Sequence, residues 1–452
     1  MSEVKTKWNI TKLGELSSTT SGGTPSRKRP DYYQGDIPWV KSGDLNNSYV
    51  RSASECVSEE GIKNSSAKIF SKGTLMIALY GATIGKLGIL DMDAATNQAI
   101  CGIFESELID TKYLFYFLMS QKENLIKQGK GGAQPNISQK IIRDIDVPYP
   151  ESLTEQRQIV QRIESLFSRL DAGVASLQHA KAQLQRYRQS VLTAAVTGEL
   201  TQAWRKANPD TEPASKLLKR ILQQRREQWN GRGKYKEPIE PDVTKMPSIP
   251  KSWSWARLDS ICAIGSGMSV SKNRKFKKPV EVPYLRVANV QRGKLLLDNI
   301  KVMSIEADKL DGLKLKDGDI LFNEGGDRDK LGRGWIWEGQ ISPCITQNHV
   351  FRAAPYSPTD SLARFISHWG NTFGQQFFLD EGTQTTNLAS INKGVLSSFP
   401  IPLSPLAEQH RIVAEVEART SSIDHLEGDL DQQLTRAIKL RQSILASKFN
   451  KN

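Results

Sequence analysis

The stretch EQRQIVQRIESLFSRL at residues 155–170 returns as EQHRIVAEVEARTSSI at residues 408–423. The correspondence runs on to Leu192 and Leu445, with every equivalent pair 253 positions apart. In the first copy Ile159, Ile163, Leu166, Leu170, Val174, Leu177, Ala180, Leu184, Tyr187 and Val191 fall three and four apart. In the second, Ile412, Val416, Ile423, Leu426, Leu430, Leu434, Ala437, Leu440 and Ile444 do the same. A period near 3.5 residues keeps one apolar stripe facing a partner helix. Each copy is the simplest partner for the other, which predicts two long helices packed together. Ser152 and Glu155 have capping-box spacing, and Ser404 followed by Pro405 offers a cap and a first helical position. Roughly forty residues rising 1.5 Å each make a rod of about 60 Å, longer than a core helix needs.

The duplication extends backwards into globular sequence. Trp8, Leu13, Ser21-Gly22 and Ile37-Pro-Trp-Val-Lys41 correspond to Trp253, Leu258, Ser266-Gly267 and Val282-Pro-Tyr-Leu-Arg286, all 245 apart. Thr96 of TNQAI corresponds to Thr346 of TQNHV, 250 apart, so the second copy gains about five residues near Glu324 to Trp335. Short β-rich runs at 37–40, 74–80, 98–104, 282–287 and 319–322 alternate with Gly, Asn, Asp and Ser clusters. Tyr113 to Met119 reads equally as a strand or a buried helix. A Gly/Gln/Asn turn, 129–136 or 382–387, closes each head before a strand-like run leads into the rod.

The expected architecture is a pair of α/β (α+β) heads joined by two long antiparallel coiled-coil helices with internal pseudo-two-fold symmetry. The divisions are a first head over 1–150, a first long helix over 151–200, a basic helical connector and Pro-rich linker over 201–250, a second head over 251–402 and a second long helix over 403–452. Gly198 should end the first helix, and Ala214 to Trp229 should be helical. Between Arg205 and Lys236 the connector carries ten Lys or Arg against Asp210, Glu212 and Glu227, a solvated face or a phosphate-contacting arm.

The chain has 62 Lys and Arg against 49 Asp and Glu, a net charge of +13 that favours a polyanionic partner. No apolar run approaches the roughly 20 residues that span a bilayer, and the N-terminus lacks a signal-peptide core, so a cytoplasmic location is expected. The four cysteines form no CxxC pair, and the five histidines lack metal-ligand spacing. Gly81-Ala-Thr-Ile-Gly85-Lys86-Leu87 is one residue short of a P-loop and has Leu where a magnesium-binding hydroxyl belongs. No catalytic or metal site is expected.

With these residues in view the chain resembles the specificity subunit of type I restriction-modification enzymes. WNITKLGEL, IPWVKSGDL, KGTLMIALYGATIGK, TNQAI and GGAQPNIS carry the resemblance, together with the doubled junction PYPESLTEQRQIVQRIE and IPLSPLAEQHRIVAEVE. It implies that each head is a target recognition domain reading one half of an asymmetric bipartite site in double-stranded DNA. It also implies that the helices set the spacing and dock two modification subunits, which methylate adenine at N6 with S-adenosylmethionine. Restriction subunits would join for cleavage dependent on ATP and Mg, with no cofactor in this chain.

DNA-contacting candidates are polar and basic loop residues. In the first head these are Thr24, Ser26, Arg27, Lys28, Arg29, Lys41, Ser42, Asp44, Tyr80, Thr83 and Lys86. In the second they are Lys272, Asn273, Arg274, Lys275, Arg286, Asn289, Asn323, Glu324, Arg328 and Arg333. Gln156, Arg157, Gln409 and His410, beside the helix starts, are candidates for orienting the rod or binding a partner subunit. Two other classes stay in view. A self-contained modification enzyme would need a cofactor loop and an Asp/Asn-Pro-Pro-Tyr/Phe motif, and a coiled-coil scaffold would leave the heads and the charge unexplained.

Overall fold

The computed structural model describes residues 8–129, 136–229, 233–270, 275–326, 328–384 and 389–449. The chain divides into two compact units, Met1–His179 with Asp429–Asn452, and Ala180–Gly428. Both unit boundaries fall inside long helices, Leu153–Thr197 and Leu406–Phe449. The repeat therefore marks elements that the compact units share out, each unit holding one head and parts of both helices.

In the first unit, Trp8–Lys12 pairs antiparallel with Asp146–Pro150 along its full length. The first and last strands of the head thus meet where the first long helix begins. A five-stranded sheet runs in the order Thr19–Ser21, Ile100–Ile103, Leu75–Ala78, Leu87–Leu90, Ser48–Val50, and a four-stranded sheet in the order Glu55–Val57, Ile37–Val40, Ala94–Thr96, Ile69–Phe70. The ambiguous apolar run is helical, Thr111–Ser120. The Asp110 carboxylate accepts the N–H groups of Lys112 and Tyr113 and caps it. That helix buries Tyr113, Leu114, Phe117 and Leu118, and Tyr113 and Phe117 meet Phe449 edge-on at 5.3 and 5.6 Å.

The second unit repeats this scaffold. Cys262–Ser266, Val350–Pro355, Ile320–Asn323 and Gly334–Ile336 form one sheet, and Lys301–Glu306, Pro279–Leu285 and Ile345–Thr346 another. The parallel pairing of Trp39 and Val40 with Ala95 and Thr96 recurs as Tyr284 and Leu285 with Ile345 and Thr346. Ser254–Arg257 pairs with Pro400–Leu403, again at the start of a long helix. Gly22 and Gly267 show why glycine stands at both positions. A Cβ on either would lie 2.3 and 2.0 Å from the carbonyl oxygen of Thr96 and Thr346 respectively. The connector adds a helix that sequence reading missed, Gln202–Ala207, and the expected one, Ala214–Glu227, which buries Ala214, Leu217 and Ile221. Gly198 ends the first long helix with φ of +81°.

Within each unit the two long helices run antiparallel. In the first, Arg441 pairs with Asp171 at 3.1 Å and its guanidinium lies over Phe167. In the second, Arg188 bonds Asp424 and Glu427 at 2.6 and 3.0 Å. The seam is narrower than the periodicity suggests. Ile163, Ile412, Val416, Ile423 and Ala437 are buried, but Leu166, Tyr187, Leu426 and Leu440 are exposed, because two helices alone cover only a thin stripe.

Neither expected serine caps its helix through its hydroxyl among the described residues, and buried glutamines tie the helix starts to the heads instead. Ser152 holds the helix start through its carbonyl, which accepts the N–H of Glu155 and Gln156, and the buried Ser404 hydroxyl has no hydrogen-bond partner among the described residues. Gln156, with no exposure, accepts the Asp110 N–H at 2.8 Å and donates to the carbonyls of Leu108 and Pro150 at 3.1 and 2.9 Å. Gln409, equally buried, donates to the Ser404 carbonyl at 2.7 Å and makes no other side-chain bond among the described residues. Replacing Gln156 by Ala removes three bonds to backbone groups, one buried and two part-buried, and should cost about 2 kcal/mol, whereas Gln409→Ala should cost about 1 kcal/mol. Denaturant unfolding of the two variants checks the order; equal losses would contradict it.

Candidate functional site

The first-head candidates gather around a residue that sequence reading missed. The Glu55 carboxylate bonds Arg27 Nη1 at 2.8 Å through one oxygen and Lys41 Nζ at 2.7 Å through the other. Arg27 also stacks 4.1 Å above the Tyr33 ring, while the buried Trp39 donates its indole N–H to the Gly23 carbonyl at 3.1 Å. The two cations hold the Glu55 carboxyl below its ordinary value of 4.5. Arg29 is engaged in the same way, forked onto Asp31 at 3.0 and 2.7 Å. Thr24 bonds Gln98, while Ser26 and Lys28 are exposed, and Lys28 makes no ion pair among the described residues.

Several candidates build turns. Asp44 Oδ2 accepts the Lys41 N–H at 2.8 Å, closing the tight turn over Ser42–Asp44. Asn289 does the same for Arg286 at 3.0 Å and donates to the Leu296 carbonyl at 2.9 Å; at 3% exposure it lies beyond any ligand's reach. Asn323, 1% exposed, donates to the Val290 carbonyl. These two asparagines are corrected from contact residues to scaffold residues. A short polar side chain is what a buried turn needs to satisfy its own backbone. Thr83 donates its hydroxyl to the Tyr80 carbonyl at 2.7 Å in the turn joining Leu75–Ala78 to Leu87–Leu90, so the near-P-loop is a hairpin with no helix after it. Tyr80 is exposed, and Lys86 is half-buried.

In the second head, Arg286 bonds the Asn299 carbonyl and Arg333 bonds Gln291 at 2.9 Å. The loop carrying the extra residues contains a short strand, Gly325–Gly326, and a turn of 3-10 helix, Arg328–Lys330, with Arg328 exposed. Glu324 meets another residue that sequence reading passed over, His349, whose Nδ1 lies 2.5 Å from Glu324 Oε2. Lys275 is exposed; Lys272, Asn273 and Arg274 lie outside the described residues, as do residues 130–135 and 385–387 of the closing turns.

Beside the helix starts, burial leaves Gln156 and Gln409 no surface for a partner, and orienting the helix is the role their bonds support. Arg157, paired with Asp110 at 3.2 Å, and His410 are exposed. Among the described residues no cluster of three or more His, Cys, Asp or Glu could hold a metal. None of their helices is long and apolar enough to cross a membrane.

The family model of the type I restriction modification DNA specificity domain matches residues 5–181 and again 250–436, one match on each head. The EcoDI type I restriction enzyme specificity subunit of Escherichia coli is 29% identical over 358 residues, covering 77% of this chain and 71% of that protein. The EcoKI specificity subunit of Escherichia coli strain K12 is 24% identical over 457 residues, 98% of this chain and 88% of that one. A chain solved in work on complex assembly and conformational transition of the type I R-M system has the same fold, with a TM-score of 0.67 at 18% identity over 98% of both chains.

The Glu55 cluster gives a pH dependence of definite sign. A depressed folded-state pKa means that its contribution to stability is complete above 4.5 and is lost as pH falls through the lower folded value. In a carbon-detected NMR titration Glu55 should ionise below 4.5, and Lys41→Met should move it upward. A Glu55 value indifferent to Lys41 would contradict the pairing.

Proposed function

The chain belongs to the type I restriction modification DNA specificity family, and from that premise we propose that its two heads read the two halves of an asymmetric, interrupted DNA sequence. The observation that carries this reading is a scaffold built twice with its side chains changed. The turn from Lys41 to Asp44 and the turn from Arg286 to Asn289 keep the same two bonds: the first residue's N–H donates to the last residue's side-chain oxygen, at 2.8 and 3.0 Å, and the last residue's N–H donates to the first residue's carbonyl, at 2.8 Å in both. Around that constancy Arg27, Lys28 and Lys41 in one head, and Lys275, Arg328 and Arg333 in the other, offer different donors to phosphate and base edges. The net charge of +13 supplies salt-sensitive attraction to any duplex.

The long helices, of 45 and 44 residues, are about 65 Å each and act as the ruler between half-sites. They also dock two modification subunits. Support for docking comes from apolar residues that the helix pair leaves uncovered, Leu166, Leu440 and Ile438, and from a cleft of about 530 Å3 lined by Leu170, Val174, Leu177 and Ala437. Arg157 and His410 are the exposed polar groups that would join such a contact. The modification subunits bring S-adenosylmethionine and methylate adenine at N6, restriction subunits bring ATP and Mg, and this chain contributes recognition without reacting groups.

Methylome sequencing of a host expressing the chain together with its modification subunit tests this directly. N6-methyladenine should appear at a split, asymmetric motif only when both are present, and exchanging residues 1–150 for another first head should change one half of the motif alone. Methylation indifferent to the chain would overturn the proposal and leave a protein scaffold as the alternative.

A further inference from the structure

One backbone bond recurs in both heads with its side chains exchanged for others of opposite character. The N–H of Leu79 donates to the Ala99 carbonyl at 2.8 Å, and at the equivalent place the N–H of Glu324 donates to the His349 carbonyl at 3.0 Å. Leu79 and Ala99 are 2% and 8% exposed, part of an apolar interior. Glu324 and His349 face a cleft of about 530 Å3 whose lining also includes Gly325, Gly326, Thr383 and Ser390. The glycines are required there. A Cβ on Gly325 would lie 2.6 Å from the Ala389 carbonyl oxygen, and Gly326 has φ of +138°. Their lack of side chains lets the strand Gly325–Gly326 pair closely with Ala389–Ser390 beside the cleft.

The bonds fix how the pair is polarised. Asn348 offers its amide Nδ2, a donor only, to His349 Nε2 at 3.2 Å, so Nε2 accepts and Nδ1 carries the proton given to Glu324 Oε2. Glu324 Oε1 takes no bond among the described residues. The cleft therefore presents an oriented acceptor that attracts an amino group and repels a carbonyl oxygen.

We propose that Glu324, held in place by His349, reads the exocyclic amino group of one adenine or cytosine in the half-site of the second head. Guanine and thymine present a carbonyl oxygen at that position of the major groove and are rejected. His349 is a positioning residue, acting through Glu324. The inference rests on the DNA-reading function proposed above.

The test is methylome sequencing of the chain with its modification subunit, as wild type, Glu324→Gln and His349→Ala. A carboxamide both donates and accepts, so Glu324→Gln should lower discrimination against a carbonyl base about tenfold or more at one position, in one half of the motif. His349→Ala should relax the same position to a smaller extent, and the other half should stay unchanged in both. Should Glu324→Gln fail to assemble, Glu324→Asp, which keeps the carboxylate and withdraws it by one methylene, should weaken selection at that single position. Wild-type stringency at every position in the variants would overturn this inference while leaving the specificity function intact. A wild type that confers no split motif would overturn both.

Discussion

A buried carboxamide at the first turn of each long helix is the interaction on which the rest of each unit depends. Gln156 reaches three backbone groups from two segments of its head, and Gln409 holds the Ser404 carbonyl just past the last strand of the other. At Gln156 one planar group both donates and accepts, with a side chain long enough to leave the helix, while Gln409 donates and its oxygen has no partner among the described residues. Next to Gln409 the fully buried Glu408 is held by Thr201 and Arg205 of the connector and by the Trp253 indole N–H at 2.9 Å. Helix, head and connector are thereby tied at one point. A head fixed to its helix in this way turns helix geometry into a constraint on where the head's loops can go.

Much of the architecture was legible in the sequence because it was written twice. The unbroken 253-residue correspondence located both long helices, and the change of separation from 245 to 250 located the lengthened loop. Gly198 as a terminator was readable from the steric freedom of glycine alone. The run from Tyr113 to Met119 was not decidable, because a short continuous run of aromatic, Leu and Met residues suits a strand as well as a buried helix. Asp110, one residue ahead of Thr111, settles it by capping. The apolar stripe was overread for a related reason: periodicity shows which residues share a face and says nothing of how wide a partner covers it.

The candidate site was less legible, since residue type does not reveal whether a polar group serves the backbone or a ligand. Asn289 and Asn323 have the composition of contact residues and the burial of scaffold ones. Glu55 was passed over because nothing in a lone carboxylate on a short strand shows that Arg27 and Lys41, 28 and 14 residues away in sequence, converge on it. His349 carried a usable signal. Aligning the two halves sets Leu79 and Ala99 against Glu324 and His349, and a paired change from apolar to polar at bonded positions points to a changed task.

The central claim is that helix length sets the distance between the two sequences read. Opposite partners in the first unit, Asp171 with Arg441, give the register in which a matched heptad can be removed from both helices, residues 172–178 from one and 434–440 from the other. Seven residues shorten the rod by about 10 Å, close to three base pairs. Methylome sequencing of this variant with its modification subunit should show the wild-type gap abandoned and any remaining methylation at a gap about three base pairs shorter, with both half-sites unchanged. Methylation retained at the wild-type gap would contradict the account.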